Sequence, residues 1–233
     1  MTQQSASSSS SSHSQSHSPH NNNSHSHSKS HDDKGQPQWH AVRDEHSKVH
    51  RHRPNTKGAE ESVYPLSLRI SPSLHDPLND LRKRYFPAHR LKVPAHLTLF
   101  HALPHSKLDE VKQTLDEVSK GTKAFRVTSG KPYKMGQMVA IDPDKGVVEG
   151  KQLHTELRRD WEGFLSKQDQ KSFKAHWTIM NKEEDKEKVE KVLEECKEWQ
   201  AKEGPKEGEA DGLVLWRYNH GEWVFEQEWD FKK

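Results

Sequence analysis

Two short stretches, "PAHLTLF" (94–100) and "KAHWTIM" (174–180), each set a histidine and a threonine two residues apart in an otherwise apolar run. Successive side chains on a strand point to opposite faces. His96 and Thr98 therefore share one face with Leu97 and Leu99 opposite, and His176 and Thr178 share one with Trp177 and Ile179 opposite. Brought together in one cleft, two imidazoles and two hydroxyls would surround a small anion. A neutral imidazole takes a proton from a nucleophile while a protonated one gives a proton to a leaving group. The threonine hydroxyls would hold the non-bridging oxygens on which charge develops. This chemistry suits phosphodiester cleavage without a metal, above all the opening of a 2',3'-cyclic phosphate. No carboxylate cluster accompanies the histidines, so neither a metal nor another cofactor is expected. Arg90 and Lys134 lie near expected strand ends and are candidates for a phosphate contact.

These residues need strands to carry them and helices to cover the strands. Leu66, Leu68 and Ile70 alternate with Ser67 and Arg69, which predicts a first strand over 62–70. Pro77 in a first turn, with Leu78, Leu81 and Tyr85 at helical spacing, predicts a helix over 76–86. After the first histidine strand, Leu108, Val111, Leu115 and Val118 predict a helix over 106–120, with Ser106 and Asp109 resembling a capping box. Strands are predicted at 124–130 and 137–142, joined to the next element by the "DPDKG" turn. Leu153, Leu157, Trp161, Phe164 and Leu165 predict a helix over 149–167 ahead of the second histidine strand. Val189, Val192, Leu193, Cys196 and Trp199 share the apolar face of a last helix, and 211–229 reads as a hairpin turning at "NHG".

Each half thus reads strand, helix, histidine strand, helix, strand. His96 precedes Leu108 by 12 residues and Val118 by 22, while His176 precedes Val189 by 13 and Trp199 by 23. Order and spacing together indicate an internally duplicated α+β unit, a sheet with helices on its outer face. Halves of such a fold usually face each other across an approximate two-fold axis, which would bring both His-Thr pairs to a central cleft.

The segments "PAHLTLFHALP" and "FKAHWTIMNK" resemble the paired H-x-T/S-x motifs of the 2H phosphoesterase superfamily, which includes 2'-5' RNA ligase-like proteins and cyclic phosphodiesterases. The resemblance covers roughly 62–231. It implies a bilobal fold of two pseudo-symmetric antiparallel lobes with His96, Thr98, His176 and Thr178 as its active site. Ala175 departs from the pattern, since related sequences often place proline before the second histidine. The superfamily acts on RNA ends, cyclic nucleotides and ADP-ribose derivatives, so the resemblance does not choose a substrate.

Composition limits what else the chain can be. Residues 1–58 are rich in serine and histidine and almost lack aliphatic side chains, which predicts a disordered tail ahead of one domain over 59–233. The tail holds 7 of the 37 Lys and Arg and 4 of the 35 Asp and Glu, leaving a near-neutral domain with 30 against 31. That balance argues against duplex DNA as a partner. A single cysteine, no apolar leader and no apolar run near the ~20 residues of a bilayer span predict a soluble, intracellular protein, cytoplasmic or nuclear, with no membrane partner; a monomer is the expected state, although no sequence feature fixes it.

Several residues have plainer readings beside the chemical one. His75, His89, His101, His105, His154 and His220 suit structural roles at strand ends and helix entries. Trp177, Trp199, Trp216, Trp223 and Trp229 could stack on a base, although alternation sends Trp177 to the core. Cys196 reads as core, and the tail histidines lack the spacing of a closed metal site. The expectation is a phosphoesterase whose substrate is an RNA end or a small cyclic nucleotide. The alternative is a module on the same fold that binds such ends without turnover.

Overall fold

The computed structural model describes residues 52–233; the tail expected over 1–58 lies, as far as residue 51, outside them. Residues 52–58 run against the domain: Pro54 is buried, and Asn55 donates from its backbone to Phe164 O at 2.9 Å and from its amide to Gly163 O at 3.2 Å.

The chain runs β1 (Val63–Ile70), α1 (Pro72–Tyr85), β2 (Leu97–Pro104), α2 (Leu108–Gly121), β3 (Phe125–Met135), β4 (Met138–Pro143), α3 (Val147–Trp161), β5 (Trp177–Met180), α4 (Lys186–Glu203), β6 (Glu207–Asn219) and β7 (Glu222–Asp230). The duplicated order expected from the spacing is present as β1-α1-β2-α2-β3 followed by β4-α3-β5-α4-β6, with β7 appended.

All strands pair antiparallel, in the order β2-β1-β6-β3-β4-β5, with β7 on the far end of β6. The order is palindromic. Each half contributes an outer histidine strand, β2 or β5, and a first strand, β1 or β4. The last strand of each half is exchanged, so that β6 completes the first half and β3 the second, and β3 pairs β6 at the centre. Helices follow the same exchange. Helix α1 packs on β5, β6 and β3, while Trp161 and His154 of α3 pack against Phe100 of β2 at 5.1 and 4.7 Å between ring centroids. The core includes Leu66, Phe100, Leu115, Ile141, Leu157, Trp161 and Trp177, each at most 1% exposed.

Element ends differ from the periodic reading where turn chemistry decides. Helix α1 begins at Pro72, four residues early, because a proline without N–H suits the first turn; Pro77 then lies inside the helix. The capping box is not formed: Ser106 lies in a short 3-10 turn, His105–Lys107, and both its N–H and hydroxyl donate to the Glu60 carboxylate at 2.8 Å. Helix α4 starts at Lys186, where the Asp185 carboxylate accepts from Glu187 N and Lys188 N. The β6–β7 turn carries positive φ at His220 (49°) and Gly221 (93°), as a two-residue hairpin turn requires. No helix among the described residues is long and apolar enough to cross a membrane.

Candidate active site

Both motif strands bulge at the same place. On β1 and β2, Ser67 pairs Thr98 and Leu66 pairs Phe100, leaving Leu99 as the extra residue; on β4 and β5, Ala140 pairs Thr178 and Val139 pairs Met180, leaving Ile179. Ser67 and Leu66 are neighbours and face opposite ways, so their partners Thr98 and Phe100 do too. Without the bulge Phe100 would share the face of His96 and Thr98; with it, Phe100 is fully buried against α3. Met180 is likewise fully buried. A bulge one residue past each threonine thus turns Phe100 and Met180 into the core.

The two imidazoles are held in the same way. His96 Nδ1 donates to Pro94 O at 2.7 Å, and His176 Nδ1 to Lys174 O at 3.0 Å, each two residues back along its own chain. A carbonyl only accepts, so Nδ1 carries the hydrogen in both neutral rings and Nε2 is left with its lone pair. Burial pushes the His96 pKa down to about 3, against the help of the Pro94 carbonyl and together with charge on Arg82, His101 and His176. His96 still keeps some accessible surface. Burial also lowers the His176 pKa, but there the Lys174 carbonyl and the Asp142 carboxylate favour the protonated form while His101 opposes it. His101 acts on both motif histidines, and His176 on His96.

Of the other expected residues, Thr98 and Thr178 are half-buried on the motif strands, and the Thr178 hydroxyl has only a long contact to Met138 Sδ at 3.8 Å. Arg90 is exposed and donates to Lys182 O at 3.1 Å, just beyond β5. Lys134 is engaged in an ion pair with Glu190 on α4. His105 hydrogen-bonds the Tyr64 hydroxyl at 3.0 Å, and His154 is buried beside Phe100 and Phe173, its pKa lowered to about 4. Cys196 is buried on α4, its thiol pushed up to about 12 by burial. Among the described residues no group of three or more His, Cys, Asp or Glu side chains is placed to hold a metal ion.

Two groups at the site escape periodicity. Arg82 of α1 is 5% exposed and clasps both motif segments: Nε donates to Val93 O at 3.1 Å and Nη1 to Thr178 O at 2.5 Å. Burial lowers its pKa to about 10, and its charge disfavours a proton on His96. In a helix rich in Lys and Arg, only its position on the apolar stripe, one residue after Leu81, could have marked it. Asp169 is the second: its fully buried carboxylate accepts from His101 N (2.8 Å), His101 Nδ1 (3.1 Å), Ala102 N (3.1 Å) and Ser166 Oγ (2.9 Å). It binds β2 where a further register shift leaves two successive N–H groups without a strand partner.

Arg82→Met tests the clasp. Two part-buried carbonyls lose their donor, at about 1 kcal/mol each, and displacement of the motif segments should lower the turnover expected of the histidine pair on the order of 10- to 100-fold. Loss of the cation also raises the His96 pKa, so the acid limb of the pH–rate profile moves to higher pH. A purely structural defect would lower the rate without moving that limb.

The comparisons with known proteins bear on family and fold. The family model of the 2'-5' RNA ligase superfamily matches residues 70–222. E. coli LigT complexed with phosphate superposes with a TM-score of 0.51 at 12% identity, over 75% of this chain and 100% of LigT. LigT complexed with 3'-AMP gives 0.50 at 12%, over 74% and 99%. TT0787 of Thermus thermophilus gives 0.53 at 15%, over 73% and 98%. No curated protein sequence matches the chain. The structural likenesses, at such low identity, speak for the two-lobed fold alone. The family match spans both motif strands and most of the elements that carry them, and by it the chain belongs to the 2'-5' RNA ligase superfamily, within the 2H phosphoesterases.

Proposed function

We propose that this protein is a metal-independent phosphoesterase acting on the 2',3'-cyclic phosphate, or a 2'-5' or terminal phosphodiester, of RNA or a nucleotide. The observation that carries the reading is the matched pair of Nδ1–H to carbonyl bonds on His96 and His176, which leaves an Nε2 atom on each for proton transfer, on two segments that Arg82 ties together. Membership of the superfamily supports it, as do the phosphate and 3'-AMP complexes of LigT.

The unequal surroundings of the histidines divide the roles. His96, with Arg82 beside it, is the neutral partner and acts as general base; His176, with Asp142 favouring its proton, acts as general acid. In ring opening, water attacks phosphorus as its proton passes to His96 Nε2. The P–O bond to one ribose oxygen then breaks, and that oxygen takes the proton from His176 Nε2. The Thr98 and Thr178 hydroxyls hydrogen-bond the non-bridging oxygens throughout.

The test is turnover of 2',3'-cyclic nucleotides and of a short RNA with a cyclic end, in EDTA, with the product identified as a single monoester isomer. Turnover that persists in the chelator supports the reading, and turnover restored only by added metal overturns it. The pH profile adds a sharper expectation. Both histidine pKa values are lowered, so kcat/KM peaks on the acid side of neutrality and falls as rising pH deprotonates His176. Asp142→Asn removes the carboxylate that favours this proton, and the falling limb moves to still lower pH. An unmoved limb would remove His176 from the acid role.

A further inference from the structure

The β6–β7 hairpin carries a pattern, W-x-Y then W-x-F around its turn, that the duplicated fold does not use. Trp216 pairs Phe225 and Tyr218 pairs Trp223, so all four aromatic side chains lie on one face of the ribbon. That face can be followed to the active site. Thr98 pairs Ser67 and Ser67 pairs Val214, and Trp216 and Tyr218 follow Val214 at two-residue steps along β6. The aromatic row therefore shares the face of Thr98. A register shift between Leu215 and Trp216 leaves Glu226 as an extra residue of β7. It turns Phe225 and Trp223 to this face, while Trp229 is buried on the other against Asp116 of α2.

Contacts agree with the register. The Trp223 ring lies 4.3 Å from the His96 ring; Trp216 lies 6.2 Å from Trp223 and 6.3 Å from Phe225; and Trp216 Nε1 donates to Ser67 Oγ at 2.9 Å. The row runs without a break from a motif histidine to open solvent, where Phe225 remains 57% exposed. A ribbon reaching past its sheet gains from cross-strand aromatic pairs, but that gain does not require the row to begin on the imidazole.

We propose that this aromatic ledge seats the base of the nucleotide whose phosphate lies between His96 and His176. The inference rests on the phosphoesterase reading of those histidines. Phosphate and base of a nucleotide are separated by one ribose, and the ledge begins at the ring in contact with His96. Stacking on aromatic side chains accepts any base. The ledge thus selects for a nucleoside over a bare sugar phosphate rather than for one base.

The experiment compares 2',3'-cyclic AMP with base-less methyl riboside 2',3'-cyclic phosphate on the full chain. Turnover is read as kcat/KM, and binding as quenching of tryptophan fluorescence. The wild type should favour the nucleotide by about 5- to 150-fold, the usual worth of one base stack. Trp223→Ala should lose most of that preference and Phe225→Ala, further out along the row, a smaller part of it. Phe225→Ala, at an exposed site, is the variant that keeps the fold beyond question. Turnover of both compounds without preference would overturn the ledge and leave the phosphoesterase standing. Preferential binding without turnover would support the ledge and overturn the phosphoesterase. Neither binding nor turnover would overturn both, and a preference unchanged in both variants would overturn the ledge.

Discussion

Replacing either motif histidine by alanine should lower turnover of a 2',3'-cyclic nucleotide by about 10²- to 10⁴-fold, the range for loss of a positioned general acid or base. Both side chains keep some solvent exposure, and their hydrogen bonds are made to carbonyls of their own segments. His96→Ala and His176→Ala should therefore keep the wild-type melting curve while losing activity. The double variant should be little worse than either single one, because the two act in one step and their effects do not add. The roles differ in pH response: His176→Ala removes the falling limb of the profile, and His96→Ala removes the rising one. Activity within a few-fold of wild type in either variant would sink the two-histidine mechanism.

The second large effect is expected at Asp169. Burial alone would raise the pKa of this carboxylate, but the hydrogen bonds from His101 and Ser166 and the nearby imidazole charge outweigh it, and the pKa is lowered. A lowered carboxylate pKa means stability that is present above the unfolded value of ~3.9 and lost as pH falls through it toward the folded value. Asp169→Ala leaves the His101 and Ala102 N–H groups and the Ser166 hydroxyl without their acceptor. Destabilisation of about 3–5 kcal/mol is expected for breaking a buried charged network. That is a fall in Tm on the order of 10 °C for a domain of this size. Asp169→Asn should be milder, since one oxygen still accepts. Thermal melts at pH 7 and pH 3 check both points: the gap between wild type and Asp169→Ala should narrow at the lower pH. An equal gap at both would mean that the ionised carboxylate contributes nothing.

Much of the frame was legible because alternation and helical spacing report burial, and burial is what a two-layer fold repeats. Leu66, Leu68 and Ile70, the stripe from Leu108 to Val118, and the histidine strands all take the form that their periodicity predicts. Helix ends were less legible, because Ser106 found a stronger partner in Glu60, a residue distant in sequence, than in its own helix. The site followed the same division. His96 and His176 stand out as polar residues at the entries of apolar strands, one residue ahead of β2 and β5. Arg82 and Asp169 act through backbone groups far along the chain, Thr178 O and Ala102 N among them, and such pairings leave no local period. The bulges after Thr98 and Thr178 are invisible for the same reason. A bulge is a property of two strands in register, and one strand's sequence reads as unbroken alternation.

The exchange of β3 and β6 between the halves has a consequence for how the molecule comes into being. Neither half can close its own sheet: β1 waits for β6 from the end of the chain, and β4 must receive β3 from the other half. During synthesis β1, α1, β2 and α2 emerge with an unsatisfied strand edge that β6, made more than a hundred residues after β1, covers, so the first half is held short of its final form until the second is nearly complete. Contacts this distant in sequence slow folding. They also make the molecule behave as an interlocked pair of subunits on one thread, the arrangement that two copies of a half-sized ancestor would reach by swapping a strand and then fusing.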